Sequence, residues 1–196
     1  MGMTVKKAAD AQSASVFYSN KGKIADIPMG VSVSTAELVN GAILLDGTPV
    51  GAASSGIRKA VKMSLALAGS TATNIKVATA TNQFKVGDFL MSKVGGIAYA
   101  ITVIASSAGV DTMTVGTAID APLSNGNYVY QAAAQAAATT SAFLVSPVAI
   151  VGTNTLVDTT SNLTVDAWVI AAVKKSSIGA DVLSALKVNN AVIAEI

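Results

Sequence analysis

Ile75-Lys76-Val77-Ala78-Thr79, Phe84-Lys85-Val86-Gly87-Asp88-Phe89-Leu90-Met91, Ile97-Ala98-Tyr99-Ala100-Ile101-Thr102-Val103-Ile104, Asp111-Thr112-Met113-Thr114-Val115-Gly116 and Asn127-Tyr128-Val129-Tyr130 follow one another between residues 75 and 130. Each run has the length of a strand, and turn residues separate them at roughly 8–15-residue spacing, the pattern of a small antiparallel sheet or barrel. From Ile97 to Ile104, the bulky Ile97, Tyr99, Ile101 and Val103 alternate with the small Ala98, Ala100 and Thr102. Such a strand packs its bulky face on a core and lets a second layer or subunit approach the small one. Gly87 sits where the chain turns into the next strand, and Asp88 beside it is read as a carboxylate that accepts from turn N–H groups. No part of the stretch reads as an active site.

Upstream, Val61, Met63, Leu65 and Leu67 alternate with Lys62, Ser64 and Ala66, so period two prevails over a short helix and this segment is a strand. Ile43 to Val50 reads as a hairpin around Asp46-Gly47. Pro49 cannot donate to a ladder and therefore belongs on an edge strand. Ile27-Pro28-Met29-Gly30 is a turn, and Val31 to Ser34 alternates as a short strand.

Downstream, the alanine tract from Gln131 to Ala138 is a frayed helical turn or a surface loop. Ala142–Val145 and Val148–Val151 flank Pro147 as two short strands or one bent edge strand. Val165 to Val173 is a strand carrying the only tryptophan, Trp168, which is expected as a largely buried core anchor. Ser177 to Lys187 is a short helix with Val182, Leu183 and Leu186 on its apolar face, and Ala191 to Ile196 is a terminal strand.

These readings predict a mainly β chain (α+β at most): a small antiparallel barrel or sandwich with one short C-terminal helix and an N-terminal arm. The small-residue loop from Gly51 to Gly56 divides it into an arm and attachment hairpin, residues 1–56, and a β-rich core domain, residues 57–196. The arm is polar except at Val16-Phe17-Tyr18. That patch either folds onto its own domain or becomes ordered on a neighbouring subunit. Contacts with partners are assigned to Val16, Phe17, Tyr18, Ile27 and Met29.

Composition narrows the chemistry. The 196 residues are 52% hydrophobic and only 12% charged, a balance that suits a surface covered by partners or by copies of the chain. A net charge of +2, with Arg58, Lys59 and Lys62 as the main basic group outside the N-terminus, does not provide the clustered cations that nucleic acid requires. Histidine and cysteine are both absent, which excludes disulfides, thiolate nucleophiles, Ser-His-Asp triads and Cys/His zinc sites. No phosphate loop, dinucleotide fingerprint or helix-loop-helix calcium loop occurs, so no cofactor is expected. No signal peptide or bilayer-length apolar run is seen, and the chain reads as a soluble product of a cytoplasm with no membrane partner.

Phe84-Lys85-Val86-Gly87-Asp88-Phe89, Ala98-Tyr99-Ala100-Ile101, Asp111-Thr112-Met113-Thr114-Val115-Gly116-Thr117 and Asp166-Ala167-Trp168-Val169-Ile170 occur in an order that resembles head fibre or capsid decoration proteins of tailed bacteriophages, notably those infecting Bacteroidetes. The resemblance covers roughly residues 60 to 175. It implies a non-enzymatic virion protein made in the host cytoplasm and bound to the outer capsid surface. Its partners would be the major capsid protein and itself, as a homotrimer, and it would either cement capsomers or project as a fibre.

Two other classes are set against that reading. One is a receptor- or glycan-binding tail or fibre tip protein that meets a host-surface molecule through Tyr128 and Tyr130. The other is a hydrolase built on Asp88 and Asp111.

Overall fold

The computed structural model describes Phe17 and residues 23–120, 123, 126–138, 140–174 and 176–196. Among the described residues the chain forms sixteen short strands and a single α-helix, so it is mainly β. The strands of the first third are β1 (Lys23–Asp26), β2 (Val31–Val33), β3 (Ile43–Leu44), β4 (Pro49–Gly51) and β5 (Ile57–Arg58). The middle holds β6 (Met63–Leu65), β7 (Asn74–Ala78), β8 (Phe89–Met91), β9 (Ala98–Ser107), β10 (Val110–Val115) and β11 (Tyr128–Ala132). The last third holds β12 (Pro147–Val151), β13 (Thr155–Leu156), β14 (Leu163–Val165), β15 (Ala167–Val173), α1 (Ala180–Val188) and β16 (Val192–Glu195).

The chain divides into two compact units: one is Ala60–Ser146, and the other joins the chain up to Lys59 with Pro147–Ile196. This corrects the expected division at residue 56, which placed everything downstream in one core domain. The early strands find their partners more than 90 residues later: β1 pairs with β15, and β4 pairs with β12. Two- and three-residue strands have no stability of their own, so they belong to whichever unit completes their ladders.

In the inserted unit, six antiparallel strands lie in the order β6-β11-β8-β9-β10-β7. One face of the sheet buries Ile75, Phe84, Leu90, Ile101, Met113 and Val129 in a single cluster. Beyond the end of β6 the edges approach, and the Leu67 N–H donates to the Lys76 carbonyl at 2.8 Å. The ladder stops there because the Ser70 hydroxyl intervenes: it accepts from the Lys76 N–H at 3.0 Å and donates to the Leu67 carbonyl at 2.7 Å. The described residues thus form several open sheets, consistent with the sandwich among the two expected architectures, and no closed barrel is seen among them.

The facing of two strands does not follow from alternation alone. In and beside β6, Lys62, Ser64 and Ala66 are buried along with Val61, while Leu65 is 41% exposed. On β9 the register shifts where Val115 opposes Ile101 and Thr114 opposes Val103, leaving Thr102 as an extra residue. Such a bulge exchanges the two faces beyond it, so Ile101 and Ile104 meet the core and Val103 is exposed. The alanine tract forms no helix. Its first two residues complete β11, and Ala136 bridges Ala98.

In the other unit the main sheet runs β1-β15-β12-β4, with β16 lying parallel to β15. β14-β2-β5 and β13-β3 form two further small sheets. β4 is an edge, as Pro49 requires, but β3 pairs with β13, so Ile43 to Val50 is not a hairpin. Only the turn survives: the Thr48 N–H donates to the Leu45 carbonyl at 3.1 Å, with Gly47 at φ +78°. Of the segments flanking Pro147 only the second is a strand, while Phe143 makes an isolated bridge to Ala132. Trp168 is half-buried rather than a core anchor; its indole N–H donates to Asp166 at 3.0 Å. α1 buries Val182 and Leu186, and the Asn189 side chain just past its end donates to the Pro147 carbonyl at 2.8 Å.

Candidate functional site

Asp88 ends the turn into β8 and lies at the rim of the core face of the sheet. Its Oδ2 accepts from the Lys85 backbone N–H at 2.8 Å, the turn role its sequence context suggests. Two further partners were not legible: Lys62 Nζ at 2.7 Å on Oδ2, and Gln131 Nε2 at 2.9 Å on Oδ1. The Lys62 side chain is 1% exposed and that of Asp88 12%. The basic group of Arg58, Lys59 and Lys62 therefore does not exist as a surface patch. Lys62 is interior, the Arg58 guanidinium donates to the Gly51 carbonyl at 2.6 Å, and Lys59 is exposed.

Asp111, on β10, belongs to a separate network. It accepts from the Thr79 hydroxyl at 2.7 Å and from Asn82 Nδ2 at 2.8 Å. Burial by itself would raise its carboxyl, but hydrogen bonds from Ser106, Thr79 and Asn82 outweigh burial and hold it below the ordinary carboxylate value. A depressed folded-state value stabilises the fold above the unfolded value of about 4, and that contribution disappears as pH falls through the folded value. Asp111→Asn is expected to cost about 1–3 kcal/mol at neutral pH, because its amide then faces the donors that the carboxylate accepted from. Urea midpoints measured across acid pH should show the wild-type advantage shrinking as Asp111 is protonated. With different partners holding each carboxylate, Asp88 and Asp111 do not form the converging pair of a hydrolase.

Among the described residues, no group of three or more Asp and Glu could hold a metal ion, and no helix is long and apolar enough to cross a membrane. The aromatic pair offered for a glycan is mostly enclosed. Tyr130 is 3% exposed and packs edge-on against Phe143 at 5.4 Å, and Tyr128 stacks on it at 6.5 Å while remaining half-buried. A stacking platform needs an open ring face, and Tyr130 does not offer one.

Of the residues assigned to partners, Val16 and Tyr18 lie outside the described residues. Phe17 is 3% exposed and bridges Val173 at the end of β15, within its own unit. Ile27 is half-buried; its N–H donates to the Ala167 carbonyl at 2.8 Å. Met29 is fully exposed at 100%, and Ile24 on the adjoining β1 is also exposed.

The Gly30 N–H donates to the Ile27 carbonyl at 3.0 Å, which puts Pro28 and Met29 at the centre of a tight turn. Met29 has φ +67°, the conformation of the third residue of a type II turn, where glycine is favoured. An apolar side chain is thus held wholly in solvent on a strained, hydrogen-bonded tip. The exposure of Ile24 on β1 was not predicted, because a four-residue edge strand has too little periodicity to reveal which face is open. Searches of protein-family profiles, of curated proteins and of solved structures return no match to this chain.

Proposed function

We propose that this chain is a structural virion protein of a tailed bacteriophage, bound to the outer surface of the capsid as a decoration or head fibre protein. It acts by binding, with the major capsid protein and copies of itself, as a homotrimer, for partners. The observation that carries the reading is Met29: a fully exposed thioether on a pinned turn that follows β1, on which Ile24 is also exposed. Backbone strain held at a solvent tip has no packing return within the chain, and a flexible apolar side chain there suits a docking surface. The sparse charge of the sequence and its resemblance to head fibre and decoration proteins support the same reading.

Met29→Gly separates binding from folding. Glycine adopts φ +67° without strain, so the thermal midpoint is expected to hold or rise, whereas co-sedimentation with capsid shells of the phage that encodes the protein is expected to weaken about tenfold. Unchanged capsid affinity would remove Met29 from the interface. A wild-type protein that remains monomeric and shows no affinity for such shells would end the proposal.

A further inference from the structure

The interior cluster around Asp88 carries an inference that does not depend on the virion reading. Lys62 and Gln131 stand opposite each other on neighbouring segments, continuing the β6–β11 register, and the Gln131 N–H donates to the Lys62 carbonyl at 3.1 Å. Asp88 lies against both side chains. Lys62 Nζ donates to its Oδ2 at 2.7 Å, Gln131 Nε2 donates to its Oδ1 at 2.9 Å, and the Lys85 N–H fixes Oδ2 at 2.8 Å. An amine and a carboxamide therefore flank one carboxylate, and Lys62 and Gln131 are 2% and 6% exposed.

We propose that Lys62 and Gln131 become joined by an intramolecular isopeptide bond, with Asp88 as the acid–base group. A proton moves from Lys62 Nζ to Asp88 Oδ2 along their hydrogen bond. The neutral amine attacks Cδ of Gln131, and Asp88 delivers a proton to Nε2 as the Cδ–Nε2 bond breaks. The new bond is Nζ–Cδ, the leaving group is ammonia, and it departs with the remaining proton of the lysine as ammonium. Asp88 ends as the carboxylate it began as, and nothing is oxidised or reduced.

Three conditions favour this reaction here. Strand pairing holds the two groups together permanently, replacing an encounter with a fixed orientation. Exclusion from water lowers the cost of turning an ion pair into a neutral pair. One carboxylate in contact with both nitrogens can carry the proton from the nucleophile to the leaving group. Condensation of Lys62 with Asp88 itself would consume the group needed to carry the proton.

The test is the mass of the full-length protein under denaturing conditions, followed by tryptic mapping. The wild type is expected to be lighter than its sequence by one ammonia and to yield a branched peptide joining Lys62 to Gln131. Gln131→Ala and Asp88→Asn should both have their full sequence mass. Gln131→Ala retains the Lys62–Asp88 ion pair and so isolates the acceptor. Overturning results are wild-type protein with unmodified Lys62 and Gln131 peptides, loss of water with a Lys62–Asp88 link, or a mass deficit that persists in Gln131→Ala. The wild-type mass and branched peptide decide the proposal whether or not the variants fold, and they read nothing of capsid binding, so the two proposals fail separately.

Discussion

In protein whose Lys62 is not joined to Gln131, replacing Asp88 with alanine is expected to lower the unfolding free energy by at least about 3 kcal/mol and up to about 5, the largest single effect of any side-chain truncation considered for this chain. The reason is what remains behind. Lys62, with a side chain 1% exposed, would keep its charge in the interior without its 2.7 Å partner, and the Gln131 amide and Lys85 N–H would each lose an acceptor. Against a typical total stability of about 5–15 kcal/mol this is a large fraction. Guanidinium midpoints for Asp88→Ala, Lys62→Met and the double variant measure the coupling directly. Lys62→Met should cost less, because Asp88 keeps two hydrogen bonds, and the double variant should recover part of the Asp88→Ala loss. A double variant no more stable than Asp88→Ala would show that the charge pair is not the source of the effect.

Gly30→Ala is expected to be the second severe change, at about 2–4 kcal/mol, from two costs that fall on one methyl group. Its φ of +75° lies in the left-handed region, and a Cβ there would sit 2.6 Å from the Val165 carbonyl oxygen. That oxygen is backbone in β14, which is paired with β2, so it has no rotamer by which to move aside. Gly41→Ala supplies the control: φ is +79°, but nothing lies within 4 Å of the new methyl, so only the conformational cost of about 1–2 kcal/mol remains. Comparable midpoint losses for the two variants would remove the crowding argument.

Where the sequence pattern was strictly local, it was legible. α1, β2, β11 and the edge position of Pro49 follow from spacing and from the chemistry of proline. Alternation marks β6 as a strand but does not show which set turns inward; what brings Lys62 inside is Asp88, 26 residues away, and Gln131, 69 away. The bulge at Thr102 left no mark in the pattern, since one unpaired residue changes the facing of β9 without changing its composition. Ile43 to Val50 has the turn of a hairpin, but its two short arms are claimed by β13 and β12 more than 90 residues downstream. In the candidate site, the Ile27–Gly30 turn could be read, whereas the full exposure of Met29 depends on how β14 holds Gly30 from behind.

The insertion of Ala60–Ser146 into a unit made from both ends of the chain has a consequence for synthesis. A contiguous stretch can complete its sheet as soon as it leaves the ribosome, while β1, β3 and β4 must wait for β15, β13 and β12. The edges of the early strands therefore stay unsatisfied through translation of about half the chain or more. Those edges, rather than the inserted unit, are where premature association between nascent chains would begin.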